Sequence, residues 1–253
     1  MALGFAGTAV HHAATMTDHK NNLGQPIGFP LPDWQTCPPP PRTAMQGRTC
    51  RVEPLDPDRH AANLHEANCL DTEGRNWTYM GYGPFASLDD YRTWMEKDAL
   101  GDDPLFHAII DQATEKAVGV ATYLRIEPKT GVIETGNICY SPALQRTVAA
   151  TEAMYLMMVR VFDELGYRRY EWKCDALNEP SRAAAKRLGF QYEGIFRQAT
   201  MYKGRNRDTA WYAITDQDWP ALKAAYAEWL AAENFDEDGR QHQSLSALIA
   251  AIG

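Results

Sequence analysis

The clearest pattern in the chain is a run of apolar residues at Met154, Met157, Met158, Val161, Phe162 and Leu165. Their i, i+3, i+4, i+7, i+8, i+11 spacing marks one face of a helix that follows Ala149 and stops at Gly166, a residue suited to a left-handed cap. Upstream, residues 133–140 read as a strand. Downstream, residues 169–175 alternate polar and apolar positions with period 2, as a half-buried strand does. Strand, helix and strand make a right-handed crossover, so the two strands should run parallel. A further helix opens with Asn178 as N-cap and Pro180 in its first turn, and ends at Gly189, where Phe190 starts another strand.

The same reading places a strand over 47–55 and a helix over 56–70, with Asp56 capping ahead of Pro57. A Gly- and Pro-punctuated loop over 75–85 carries Trp77, Tyr79, Tyr82 and Phe85, and a helix follows over 87–100. Segments 105–110 and 117–126 form a hairpin, and the turn at 128–131 feeds the 133 strand. Segments 191–202 and 208–215 close the pattern around a basic tip, 203–207, which reads as a solvated turn or else as a contact to the acceptor or the cofactor's phosphate. A helix over 219–232, an acidic break and an apolar segment over 245–252 end the chain. The organisation is therefore a tail and proline-rich arm over 1–46, a mixed α/β domain over 47–219 and a helical extension over 220–253. Phe29, Leu31 and Trp34 should hold the arm against the domain surface, whereas His11, His12 and His19 read as a disordered tail.

Composition narrows the function classes. At 253 residues the chain can bury one substantial core. A net charge of −8 argues against a nucleic-acid partner, which would need clustered Lys and Arg. Five cysteines, odd in number and without metal spacing, suggest reduced thiols in a cytoplasmic protein. Nothing approaches an 18-residue apolar run, so no membrane partner is expected. The apolar first ten residues lack the basic region of a signal peptide, and an upstream start ahead of Met16 would also account for them.

The chemistry concentrates at 144–151, where a loop runs into the positive end of the long helix. Several free backbone N–H groups there make an anion site without any basic side chain, and a pyrophosphate is its natural guest. Two parallel strand ends and a second helix N-terminus beside them give a cleft in the usual place for a ligand. Strand parity puts Glu134, Gly136, Ile138 and Tyr140 on one face and Thr135, Asn137 and Cys139 on the other.

Glu134-x-Gly136, then Pro142, then Gln145-Arg146-Thr147-Val148-Ala149-Ala150 running into Thr151-Glu152-Ala153, then Asn178-x-x-Ser181 ahead of Leu188-Gly189-Phe190, resembles the GNAT N-acetyltransferases. The likeness is strongest to their ribosomal-protein and alanine N-acetyltransferase branch and covers roughly residues 47–219. Val148 stands at the pattern's middle glycine, and Ala185 stands where many members carry a tyrosine acid.

The resemblance implies a mixed, mostly antiparallel sheet with one parallel, splayed strand pair flanked by helices, and acetyl-CoA as co-substrate without a metal. Gln145, Arg146, Thr147, Val148, Ala149, Ala150 and Thr151 would hold its pyrophosphate, with Asn178 and Ser181 along its pantetheine arm. Backbone N–H groups around Ile138, Cys139 and Tyr140 would polarise the thioester carbonyl. Glu134 would serve as base, directly or through water, or else orient a neighbour, and Ser181 would protonate or position the sulfur. Trp77 and Tyr82 would line the acceptor cleft or simply pack. The acceptor would be a primary amine, either a peptide N-terminus or a small amine such as a polyamine, amino acid or antibiotic. A homodimer stays open, as does a non-catalytic acyl-CoA sensor.

Overall fold

The computed structural model describes residues 19–252, in two compact units divided between Gln35 and Thr36. His11, His12 and the question of residues 1–15 lie outside the described residues. In the smaller unit Lys20 bridges Pro26 around a turn, Asn21 Oδ1 accepts from the Leu23 and Gln25 N–H groups, and the His19 carbonyl accepts from Ile27.

The larger unit is built on eight strands: β1 (Met45–Gln46), β2 (Cys50–Pro54), β3 (Leu105–Asp111), β4 (Lys116–Glu127), β5 (Val132–Tyr140), β6 (Arg169–Asp175), β7 (Gln191–Tyr202) and β8 (Arg205–Thr215). They form one sheet in the order β1-β2-β3-β4-β5-β6-β8-β7, in which only β5 and β6 are parallel. The helices are α1 (Pro57–Asn68), α2 (Leu88–Asp98), α3 (Val148–Val159), α4 (Glu179–Arg187), α5 (Trp219–Leu230) and α6 (Leu245–Ala250). The caps fall where the side chains demand them. Asp56 accepts from the Asp58 N–H at the start of α1, and Ser87 accepts from Asp90 at the start of α2.

Both sheet faces are covered. Under α1 and α2 lies an apolar cluster containing Leu64, Trp77, Tyr91, Met95, Phe106, Val120 and Cys139. On the other face α3 sends Met154, Met157 and Met158 inward, the Tyr123 hydroxyl donates to the Met157 carbonyl, and Trp219 of α5 stacks on Phe162. Glu152 ties α3 to the turn before β2, accepting from the Arg48, Thr49 and Cys50 N–H groups. Gly47 makes this approach feasible, because a Cβ there would sit 2.7 Å from the Glu152 carboxyl carbon.

Two expectations change. The basic tip of five residues shrinks to Lys203-Gly204, with φ of 48° and 70°, a pair of left-handed residues that closes a two-residue hairpin. Strand parity along β5 also breaks. Val120 pairs with Cys139 but Thr122 pairs with Gly136, so two β5 residues face one on β4, and Asn137 takes a φ of 47°. Beyond this bulge Cys139 joins the α1/α2 cluster and Tyr140 turns to the α3 side, where its hydroxyl donates to the Ala150 carbonyl. The alternation read from sequence holds only up to Gly136.

Candidate active site

The parallel pair does not run its full length. Its register ends at Thr135–Trp172, while β5 continues to Tyr140 and β6 to Asp175. The two strands therefore part, and the opening lies at the carboxyl ends where an α/β sheet binds ligands. On the β5 side the Ser141 N–H bonds back to Val118, which by ladder alternation turns the Tyr140 backbone away from β4 and into the opening. The Tyr140 carbonyl there accepts from Asn76 Nδ2 at 3.1 Å and Gln145 Nε2 at 2.8 Å.

At the mouth of the opening α3 begins. Thr147 is its N-cap, with Oγ1 accepting from the Ala150 N–H at 3.1 Å and donating to the Leu144 carbonyl at 2.7 Å. Val148 and Ala149 contribute the N–H groups that a helix leaves without an internal acceptor. The left-handed residue of this loop is Arg146, φ 64°, whereas Val148 is the first helical residue. The glycine of the family pattern is thus not required by backbone conformation at 148. Thr151 is buried and accepts from Arg187 Nη2 at 2.8 Å. These donors fit a pyrophosphate, and among the described residues no group of three His, Cys, Asp or Glu gathers as a metal site.

On the β6 side Asn178 caps α4 by accepting from the Ser181 N–H, and Ser181 Oγ accepts from Trp172 Nε1 at 3.0 Å. Glu134 is 2% exposed, and one of its oxygens takes both Arg125 at 2.6 Å and Lys173 at 2.9 Å. Lys173 also reaches Glu171 at 2.6 Å and lies 3.8 Å above the Trp211 ring, and Arg169 extends the chain from Glu171 to Glu193. Burial and the Lys173 and Arg169 side chains act in opposite senses on Glu171, and its carboxyl ends below its ordinary value.

Trp77 and Tyr82 sit in the aromatic cluster. Tyr82 stacks on Trp94 at 4.3 Å with its hydroxyl shut inside, where burial raises its pKa far above the ordinary value. Trp77 is 5% exposed and lines a cavity of about 340 Å³ together with His65, Asn68, Asp71 and Glu73. Its carbonyl accepts from Lys203 Nζ at 2.7 Å, and the Tyr79 hydroxyl donates to Leu177 at 3.1 Å. Two contacts therefore bridge the N-terminal wall to the β7–β8 tip and to the loop after β6.

Sequence reasoning passed over Asn76, Lys173, Asp175 and Tyr202. The period-2 series Glu171, Lys173, Asp175 was the available signal for two of them. The others depend on contacts across 64 residues for Asn76 and 27 for Tyr202 and have no local signature.

A family model described as an acetyltransferase (GNAT) domain matches residues 51–191, more than half of the chain. The chain belongs to this family, and the class it defines is that of N-acetyltransferases. Among solved structures, a GCN5-related N-acetyltransferase from Brucella melitensis is 46% identical, with a TM-score of 0.85 over 87% of this chain and 100% of that one. A probable acetyltransferase of the GNAT family from Chromobacterium violaceum is 38% identical, with a TM-score of 0.72 over 78% of this chain and 98% of that one. The uncharacterized N-acetyltransferase YokL of the SPbeta prophage in Bacillus subtilis is 25% identical over 53% of this chain and 73% of its own length.

Proposed function

We propose that the protein moves an acetyl group from acetyl-CoA to a small primary amine. The observation that carries this reading is the parting of β5 from β6 beyond Thr135–Trp172, with the start of α3 at its mouth. When bound, acetyl-CoA supplies an acetyl thioester activated toward amines. The Val148 and Ala149 N–H groups and the exposed Arg146 are placed to hold its pyrophosphate. The Tyr140 N–H group, with that of Ile138 at the bulge, would donate to the carbonyl oxygen, an arrangement of backbone dipoles that needs no side chain.

Asn178 and Ser181 form the opposite wall. Ser181 accepts a hydrogen bond from the Trp172 indole N–H, which leaves its own hydroxyl hydrogen to be donated, toward Cys174 beside it or toward the sulfur of a bound thioester. Glu134 is shut from solvent and committed to Arg125 and Lys173, and the part that suits it is to hold Lys173 and the strand end rather than to meet substrate. The Lys203–Trp77 and Tyr79–Leu177 bridges narrow the acceptor side and favour a small amine over a long peptide.

Calorimetric titration with acetyl-CoA and CoA, paired with a thiol-release assay over spermidine, amino acid amides and short peptides, tests the reading. Binding with release on the small amines is expected. Release on peptides alone would overturn the small-amine assignment, and absence of CoA binding would overturn the whole reading.

A further inference from the structure

Five carboxylates are buried among the described residues: Glu53, Glu134, Glu152, Glu171 and Asp175. Glu53, Glu134 and Glu171 each have two basic side chains as ion partners. Glu152 is neutralised differently, by three backbone N–H groups and the Thr49 hydroxyl. Asp175 stands apart. It is 5% exposed, has no ion partner among the described residues, and accepts only the Leu177 N–H at 2.8 Å and the Tyr202 hydroxyl at 2.7 Å. A carboxylate offers about four acceptor positions, so roughly half of its capacity is unused, and an uncompensated buried charge is costly.

Its place explains why the fold would keep it. Asp175 lies three residues beyond Trp172 on β6, past the last residue paired with β5 and so on the β6 side of the opening. Along β6 it shares the face of Glu171 and Lys173. Of the neighbouring cations, Lys173 is taken by Glu134 and Glu171, and Arg207 lies 6.0 Å over the Tyr202 ring without an ion pair to Asp175. Tyr202 comes from the hairpin whose next residue, Lys203, reaches the Trp77 carbonyl, so the Asp175–Tyr202 pair sits beneath the bridge that covers the acceptor side.

We propose that Asp175, steadied by Tyr202, is the counter-ion for the acceptor's ammonium group and the base that takes its proton. The step is a single proton transfer from the ammonium nitrogen to an Asp175 oxygen. It turns R–NH3⁺ into the neutral amine and the carboxylate into a carboxylic acid, with no other bond changed. Primary amines that are cationic at neutral pH are therefore the substrate class. This inference rests on the transferase reading above and adds to it the group that selects the acceptor.

The test uses the full chain. Spermidine, lysine amide and an alanine-initiated tripeptide are titrated calorimetrically into the CoA-saturated protein, and turnover with acetyl-CoA is measured alongside. Asp175→Asn should leave CoA affinity within about twofold, weaken amine binding at least tenfold and lower kcat/KM by about 100-fold, the range of a general base. Asp175→Glu should restore part of both.

Unchanged amine binding in Asp175→Asn would reduce the residue to a turn former through Leu177 and overturn the inference, as would wild-type protein that binds CoA but none of the amines. Loss of CoA binding by the wild type would instead sink the transferase reading itself. If Asp175→Asn does not fold, Tyr202→Phe serves: an amine KM raised about threefold to tenfold supports the pair, and an unchanged KM overturns it.

Discussion

Two regions of the sheet bury polar groups in opposite ways. Across β5, β6 and the strands beyond, charge is kept and matched, in the chain Arg125–Glu134–Lys173–Glu171–Arg169–Glu193. Around β3, the β4 residues facing it and the loop before α2, away from the Glu53 ion pairs of β2, polar groups are kept neutral and packed among rings, as with His107 against Tyr123 and Tyr82 against Trp94. A neutral group tolerates an apolar wall at modest cost, whereas a charge needs its partner in place. An apolar region closes on itself, while a charged layer can leave one member, Asp175, without a cationic partner for a ligand to supply.

Breaking the charged region should have the largest effect. Lys173→Met leaves Glu134 and Glu171 buried with one cation each, and a loss of about 3–5 kcal/mol is expected in urea denaturation. A loss below about 1 kcal/mol would mean that water reaches these carboxylates and that the contrast is one of packing alone.

The neutral region should respond to acid. Burial, with Arg160 nearby, pushes His107 from its ordinary 6.5 down to about 4. Between those values the unfolded chain binds a proton that the folded protein refuses, so stability falls as pH drops through that window. At about 1.4 kcal/mol per unit the loss sums to about 3 kcal/mol. His107→Leu should flatten this part of the pH–stability curve relative to wild type, and an equally steep curve in the variant would assign the acid loss to the carboxylates.

The smallest effect sharpens the comparison. Tyr82→Phe removes a buried hydroxyl that has no partner among the described residues, and should change stability by less than about 1 kcal/mol, in the stabilising direction. An unchanged acceptor KM in the same variant is expected if Tyr82 only packs, and a raised KM would return it to the acceptor wall.

Much of the architecture was legible before the fold. The apolar stripe from Met154 to Leu165, the caps at Asp56 and Asn178 and the alternation over 169–175 are local signals, and local signals name elements reliably. The loop at 144–151 could be read as an anion site because a helix N-terminus leaves its N–H groups free whatever the side chains are.

What the sequence by itself determined, then, is the set of elements, their crossover and the family pattern at the anion loop. Tertiary structure decided how these meet. The bulge at Asn137 depends on β5 pairing against β4, and it moves Cys139 and Tyr140 to faces that parity alone had exchanged. The burial of Glu134 depends on Arg125 and Lys173, and the isolation of Asp175 depends on where Arg207 and Lys203 come to rest. Burial and charge pairing are sums over neighbours distant in sequence, so no local reading could have separated a closed ion pair from a waiting one.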